Sequence, residues 1–130
     1  MFYDIALNTS QREEFIDITS MINEKVRQSR DASGVCFVFI PHTTAGVTIN
    51  EGADPDVAKD IAAHLTKLVP EDGGYSHAEG NSDAHIKSVL AGASSSMLVE
   101  GGVLILGTWQ AVYFCEFDGP RNREILVKVQ

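Results

Sequence analysis

Apolar and polar residues alternate over 2–8, with Phe2, Asp4 and Ala6 set against Tyr3, Ile5 and Leu7. That period of two predicts a half-buried first strand. Residues 10–14 are polar and turn-like, and 15–18 read as a short second strand or the approach to a helix. Thr19 or Ser20 is suited to cap a helix whose apolar positions are Met21, Ile22 and Val26 and which ends near Ser29. After a loop over 31–34, the run 35–40 is apolar throughout, as expected of a central strand covered on both faces. Pro41 stops it, His42, Thr43 and Thr44 follow at once, and 47–50 gives another short strand closed by Glu51.

The next helix has the clearest signals: Asp54 as N-cap, Pro55 at its first position and Asp56 against the dipole. Val57, Ala58, Ile61, Ala62, Leu65, Leu68 and Val69 form one apolar stripe, His64 borders it as an exposed residue, and Pro70 ends it. A Gly-rich loop over 71–80 follows. Asn81 or Ser82 is suited to cap a helix reaching about Ala91, with Ala84, Ile86, Val89 and Leu90 as its apolar members and His85 near its start. Residues 94–100 and 103–106 read as a hairpin about Gly101-Gly102, followed by a long apolar strand over 109–117, a turn at 118–120 and a last strand over 125–129. Packing in the core is the expected place for Trp109. The sum is a single α+β domain over 1–130, a largely antiparallel sheet with about three helices and a C-terminal hairpin meander.

Composition narrows the function classes. The 130 residues carry 18 acids against 10 bases, a net charge of −8, which argues against a general nucleic-acid binder. No apolar run approaches the ~20 residues that span a bilayer, and the first residues lack a signal-peptide pattern, so a cytoplasmic protein without membrane partners is expected. Cys36 and Cys115 lie in apolar runs and read as buried core thiols.

Two of the four histidines fall in YSHAEGNSDAH, residues 75–85, which holds His77, Glu79, Asn81, Asp83 and His85. His42 stands at a strand end with Glu51 a few residues on. Imidazole and carboxylate serve both metal binding and proton transfer near neutral pH. The spacing leaves two readings open, a metal or catalytic site and a merely polar surface. In the first, three histidines leave a coordination position free, and Glu51 or Glu79 orients a ligand or acts as base. Arg121 and Arg123 in the DGPRNR turn suit phosphate or carboxylate binding, against salt bridges to Glu116, Asp118 or Glu124.

Three stretches, HTTAGVTINEGADPDV at 42–57, HAEGNSDAH at 77–85 and LGTWQAVYFCEFDGPRNR at 106–123, resemble the YjbQ family, and the matching segments run from near residue 9 to the C-terminus. The resemblance implies an α+β fold, a compact homotrimer and a divalent-metal site ligated by His42, His77 and His85. It makes Glu51, Glu79 and Asn81 candidates for catalysis or for supporting the ligands, and Arg121 the best anion-binding candidate; Arg123 and Asn81 complete the anion-binding set taken from the residues themselves. Three imidazoles suit zinc better than magnesium. The family is described as secondary thiamine-phosphate synthases, transferases that join phosphorylated pyrimidine and thiazole precursors. The alternatives are a metal-assisted hydrolase or transferase on another anionic small molecule and a non-catalytic metal- or metabolite-binding trimer. A site at or near subunit interfaces is expected, with the 109–117 strand contributing to the interface.

Overall fold

Two antiparallel sheets follow from the alternating runs. The computed structural model describes residues 1–130. In chain order the elements are β1 (Tyr3–Asn8), β2 (Glu14–Asp17), α1 (Thr19–Ser29), β3 (Ser33–Phe39), β4 (Ala45–Glu51), α2 (Pro55–Leu68), α3 (Ser82–Ala91), β5 (Ser94–Glu100), β6 (Val103–Leu104), β7 (Gln110–Glu116) and β8 (Asn122–Val129). One sheet has the order β1-β8-β3-β5-β6 and the other β2-β7-β4, with every pairing antiparallel. This is the expected α+β class with three helices.

The core lies between the sheets. Cys36, Val38, Met97, Val99, Ile125 and Val127 from the larger sheet meet Ala45, Val47, Val112 and Phe114 from the smaller, and Ile18, Ile22 and Val26 complete the cluster. On the other side of the smaller sheet, α2 and α3 cover Ala111, Tyr113, Cys115 and Phe117. Both cysteines are free and buried, and burial pushes their thiols up to about 11 for Cys36 and about 12 for Cys115. No helix is long and apolar enough to cross a membrane.

Several expectations are corrected. The C-terminal half is not a meander, because only β5 and β6 form a local hairpin. β7 crosses to the smaller sheet, and β8 returns between β1 and β3. The strand covered on both faces is β7, buried from Ala111 to Phe117, so this strand has no apolar face left for a partner. β3 instead alternates: Cys36 and Val38 face the core, while Phe37 and Phe39 stand 44% and 46% exposed on the outer face. Trp109 is 65% exposed rather than packed: it precedes β7 in a turn closed by the Gln110 amide on the Gly107 carbonyl at 3.1 Å, and its own carbonyl accepts from Gly52 N–H at 2.7 Å.

The helix starts differ too. Asp17, not Thr19 or Ser20, serves the start of α1, accepting from the Thr19 amide at 3.0 Å and its hydroxyl at 2.7 Å. Asp54 does cap α2, accepting from the Asp56 amide at 3.0 Å, yet no residue of that helix is fully buried and Leu68 is exposed. In α3 three of the four expected apolar positions are turned outward, Ala84 alone lying inside. Ile86, Val89 and Leu90 are exposed, and Asp83, Ala84, Lys87 and Ser88 are buried. The reason is charge pairing. Arg12 binds Asp83 through both terminal nitrogens, at 3.1 and 3.2 Å, and Lys87 is hydrogen-bonded to Glu13. A buried carboxylate and ammonium are tolerated when each has such a partner.

Candidate functional site

The chain leaves β3 through Ile40 and Pro41 and turns at His42, Thr43 and Thr44 into β4. This turn forms one wall of an open cleft of about 660 Å³. The facing walls come from the start of α3, with Asn81 and His85, from Glu79 in the preceding loop, and from Arg121 and Arg123 at the start of β8. Residues 42, 79–85 and 121–123 therefore meet at one place although they are far apart in sequence.

His42 is half-buried, and its Nε2 accepts from the Glu124 amide at 2.9 Å. Burial first, and then the positive charge of Arg123, holds its pKa below the ordinary 6.5. It is thus a neutral ring at pH 7 whose remaining proton sits on Nδ1. His85 lies in the first turns of α3 and meets the ring of His77 edge-on, with centroids 5.5 Å apart. His77 Nε2 lies 3.6 Å from Glu79 Oε2, and both side chains are well exposed.

Arg123 is not available to a ligand. It is 3% exposed, its Nε donates to Glu116 at 2.9 Å, its Nη2 donates to Thr44 Oγ1 at 2.8 Å, and the same Nη2 binds the second Glu116 oxygen. Glu116 also accepts from Thr9 Oγ1 at 2.7 Å and from the amides of Phe117 and Asp118 at 3.1 and 3.2 Å. Burial alone would raise its pKa, but the Arg123 and Thr9 bonds outweigh that and hold it below 4.5. Placing Arg123 in the anion-binding set is therefore corrected: the salt-bridge reading holds for it. Arg121 also pairs with a carboxylate, Asp118 at 2.9 Å, but its side chain stays 49% exposed on the cleft wall.

Glu51 is not brought to the cleft. It ends β4, and the strand rise puts it roughly 20 Å from Thr44. Its carboxylate accepts from the Ala53 amide at 2.8 Å and its carbonyl from the Tyr113 hydroxyl at 2.9 Å. Asn81 is the N-cap residue of α3, but its side chain does not cap the helix. Its Nδ2 donates to Asp118 at 2.9 Å, and its Oδ1 is buried without a partner. As metal ligands, the three histidines have suitable chemistry but not convergent geometry. His42 has its Nε2 occupied, and no three His, Cys, Asp or Glu side chains stand close enough to hold one ion.

Sequence reasoning offers Glu116 and Asp118 only as salt-bridge partners and Thr44 only as a polar residue after β3, and it misses Thr9; together these four build the wall behind the cleft. Their signal lies only in the DGPR turn and in two Thr residues at element ends, and it becomes visible when the β1–β8 pair of one sheet meets the start of β4 and the end of β7 from the other. Gly119 is part of the same construction. A Cβ there would meet the Gln11 carbonyl oxygen at 2.3 Å, so the turn needs glycine to pack against the bend after β1.

The model of the UPF0047 protein YjbQ-like family matches residues 3–130. Among curated relatives, a UPF0047 protein of Methanocaldococcus jannaschii is 47% identical over 99% of this chain and 94% of its own length. The UPF0047 protein YugU of Bacillus subtilis is 46% identical over 99% of this chain and 98% of its own. Among solved structures, an uncharacterized conserved protein of the YjbQ/UPF0047 family from Clostridium acetobutylicum superposes with a TM-score of 0.96 at 52% identity, covering 98% of this chain and 99% of that one. A conserved hypothetical protein from Thermus thermophilus gives 0.92 at 41% identity, covering 98% and 99%.

Proposed function

This chain belongs to the YjbQ-like UPF0047 family, and we propose that it is a metal-dependent enzyme acting on a small anionic molecule in the His42–His85 cleft. The observation that carries the reading is the meeting of two histidines, Glu79 and the half-exposed Arg121 around one opening. Arg121 offers the N–H groups not used by Asp118 to the anionic group of the substrate. Glu79, an exposed carboxylate on the cleft wall beside His77, takes the proton. Phe39 and Pro41 give the rest of the molecule an apolar wall.

The metal of this proposal is zinc ahead of magnesium, because its ligands would be the imidazoles of His42, His77 and His85. Bound there, zinc would supply Lewis-acid polarisation of a substrate oxygen. His42 must first give up the Glu124 amide, and the 71–80 loop must bring His77 inward.

The first specific reaction to assay is thiamine-phosphate synthesis, followed by pyrophosphate release from the two precursors. Turnover should fall about 10²–10⁴-fold in Glu79→Gln, as for loss of a general base, and Arg121→Ala should raise KM for the phosphorylated substrate. Equal rates in wild type, both variants and chelator-treated protein would remove the reaction from this cleft. Absence of turnover would favour the second reading, a non-catalytic metal- or metabolite-binding trimer. The remote Glu51, which leaves the cleft one candidate base fewer, supports that alternative.

We also propose that the chain forms a homotrimer through the outer face of the larger sheet. Phe37, Phe39 and Leu98 stand 44%, 46% and 64% exposed there. In register, Phe39 sits beside Leu126 and Val35 beside Leu98, so the apolar positions are contiguous. Phe39 also lines the cleft, so a partner covering this face would border the site.

A further inference from the structure

We propose that Asp118 is a positioning residue of the cleft, fixing Arg121 and the start of α3 together through one carboxylate oxygen. Asp118 does not itself line the cleft, whereas Asn81 and Arg121 do. Its Oδ2 accepts from Asn81 Nδ2 and from Arg121 Nη2, each at 2.9 Å. Its main-chain carbonyl accepts from Arg121 Nε, also at 2.9 Å. One guanidinium edge is thereby locked to a single residue, and Nη1 is left without a partner in the chain.

Asp118 is itself anchored. Its amide donates to the buried Glu116 at 3.2 Å, and the main chain at Arg121 is tied on both sides to Thr9. The Arg121 amide donates to Thr9 Oγ1 at 3.0 Å, and the Thr9 amide donates to the Arg121 carbonyl at 3.0 Å. The line of support therefore runs from the buried Glu116–Arg123 pair, through Asp118, to the one exposed guanidinium on the cleft wall. Without Asp118, Arg121 would be a long, freely rotating side chain on a turn, and ordering it on ligand binding would cost side-chain entropy.

The sign of the effect distinguishes positioning from plain electrostatics. A carboxylate 2.9 Å from Arg121 repels an incoming anion, so removing its charge should tighten anion binding if charge were all that mattered. Positioning predicts the reverse for a variant that loses the oxygen, and little change for one that keeps an oxygen in the same place. Both side-chain bonds go to the same oxygen, so an amide oxygen can accept both.

The inference rests on the reading of the cleft as an anion site, and calorimetric titration of the purified chain with inorganic phosphate tests the two separately. If wild type fails to bind phosphate, or Arg121→Ala binds it equally well, the anion reading falls and takes this inference with it. If wild type binds and Arg121→Ala does not, the Asp118 variants decide. Asp118→Ala is expected to weaken binding roughly tenfold, the scale of one hydrogen bond to a charged group. Asp118→Asn should stay within about threefold of wild type. Equal or tighter binding by Asp118→Ala overturns the inference, as does a loss in Asp118→Asn matching that in Asp118→Ala. If thermal melting shows that Asp118→Ala does not fold, Asp118→Asn decides alone: near-wild-type affinity supports positioning, and either tightening or loss contradicts it.

Discussion

Glu116 controls how much positive charge the cleft can offer. It takes Arg123 out of play and leaves Arg121 as the exposed guanidinium. Desolvation offsets much of the attraction within a buried pair, but removing one partner strands the other. Arg123→Ala should therefore destabilise the fold by about 3–5 kcal/mol in urea unfolding. The pH dependence follows from the direction of the shift. Because the folded pKa lies below 4.5, the unfolded chain binds the proton first as pH falls. The contribution is complete above the unfolded value and is lost as pH falls below about 4.5 towards the folded one. Glu116→Gln should remove that part of the loss when urea midpoints are compared from neutral to acid pH. An acid slope unchanged by the substitution would assign the sensitivity to other carboxylates. The polar character of His42, His85 and Arg121 was legible because each sits at an element end in a polar motif. Which arginine was free was not, because the bonds from Thr9 to Glu116 and from Arg123 to Thr44 span 107 and 79 residues.

Among the elements, α2 and α3 differ in legibility for a physical reason. The start of α2 is set by neighbours in sequence, Asp54, Pro55 and Asp56, and it forms where expected. The buried face of α3 is set by Arg12 and Glu13, some seventy residues away, which draw Asp83 and Lys87 inward against the apolar pattern. Arg12 also lies 3.7 Å from Glu71, so one guanidinium touches both ends of the loop that carries His77 and Glu79. Asp83 is fully buried; burial opposes its charge, but the Arg12 bonds prevail and keep its pKa below 3.8. Arg12→Ala should cost about 2 kcal/mol, in the range for hydrogen bonds to charged groups. Amide hydrogen exchange should quicken over 71–85 and little elsewhere. Uniform quickening across the chain would mean that Arg12 supports the whole fold and not this loop.

At the scale of the whole molecule, the outer face of β3 bears on assembly. Six consecutive apolar residues read as a strand covered twice, yet one chain covers only the inner face and leaves Phe37 and Phe39 outside. A homotrimer would cover that outer face and restore the expected burial. Wild type should scatter light as the proposed trimer and Phe37→Glu as a monomer, while thermal melting still reports a folded chain, and an assembly unaltered by the substitution would place the contact elsewhere. The proposed metal site needs His42, His77 and His85 on one ion. Elemental analysis of untagged protein, before and after zinc titration, measures that occupancy. About one divalent ion per chain is expected, with most of it lost in His85→Ala. A wild-type protein that is metal-free as purified and takes up no zinc, or a His85→Ala variant that holds as much as wild type, would contradict it.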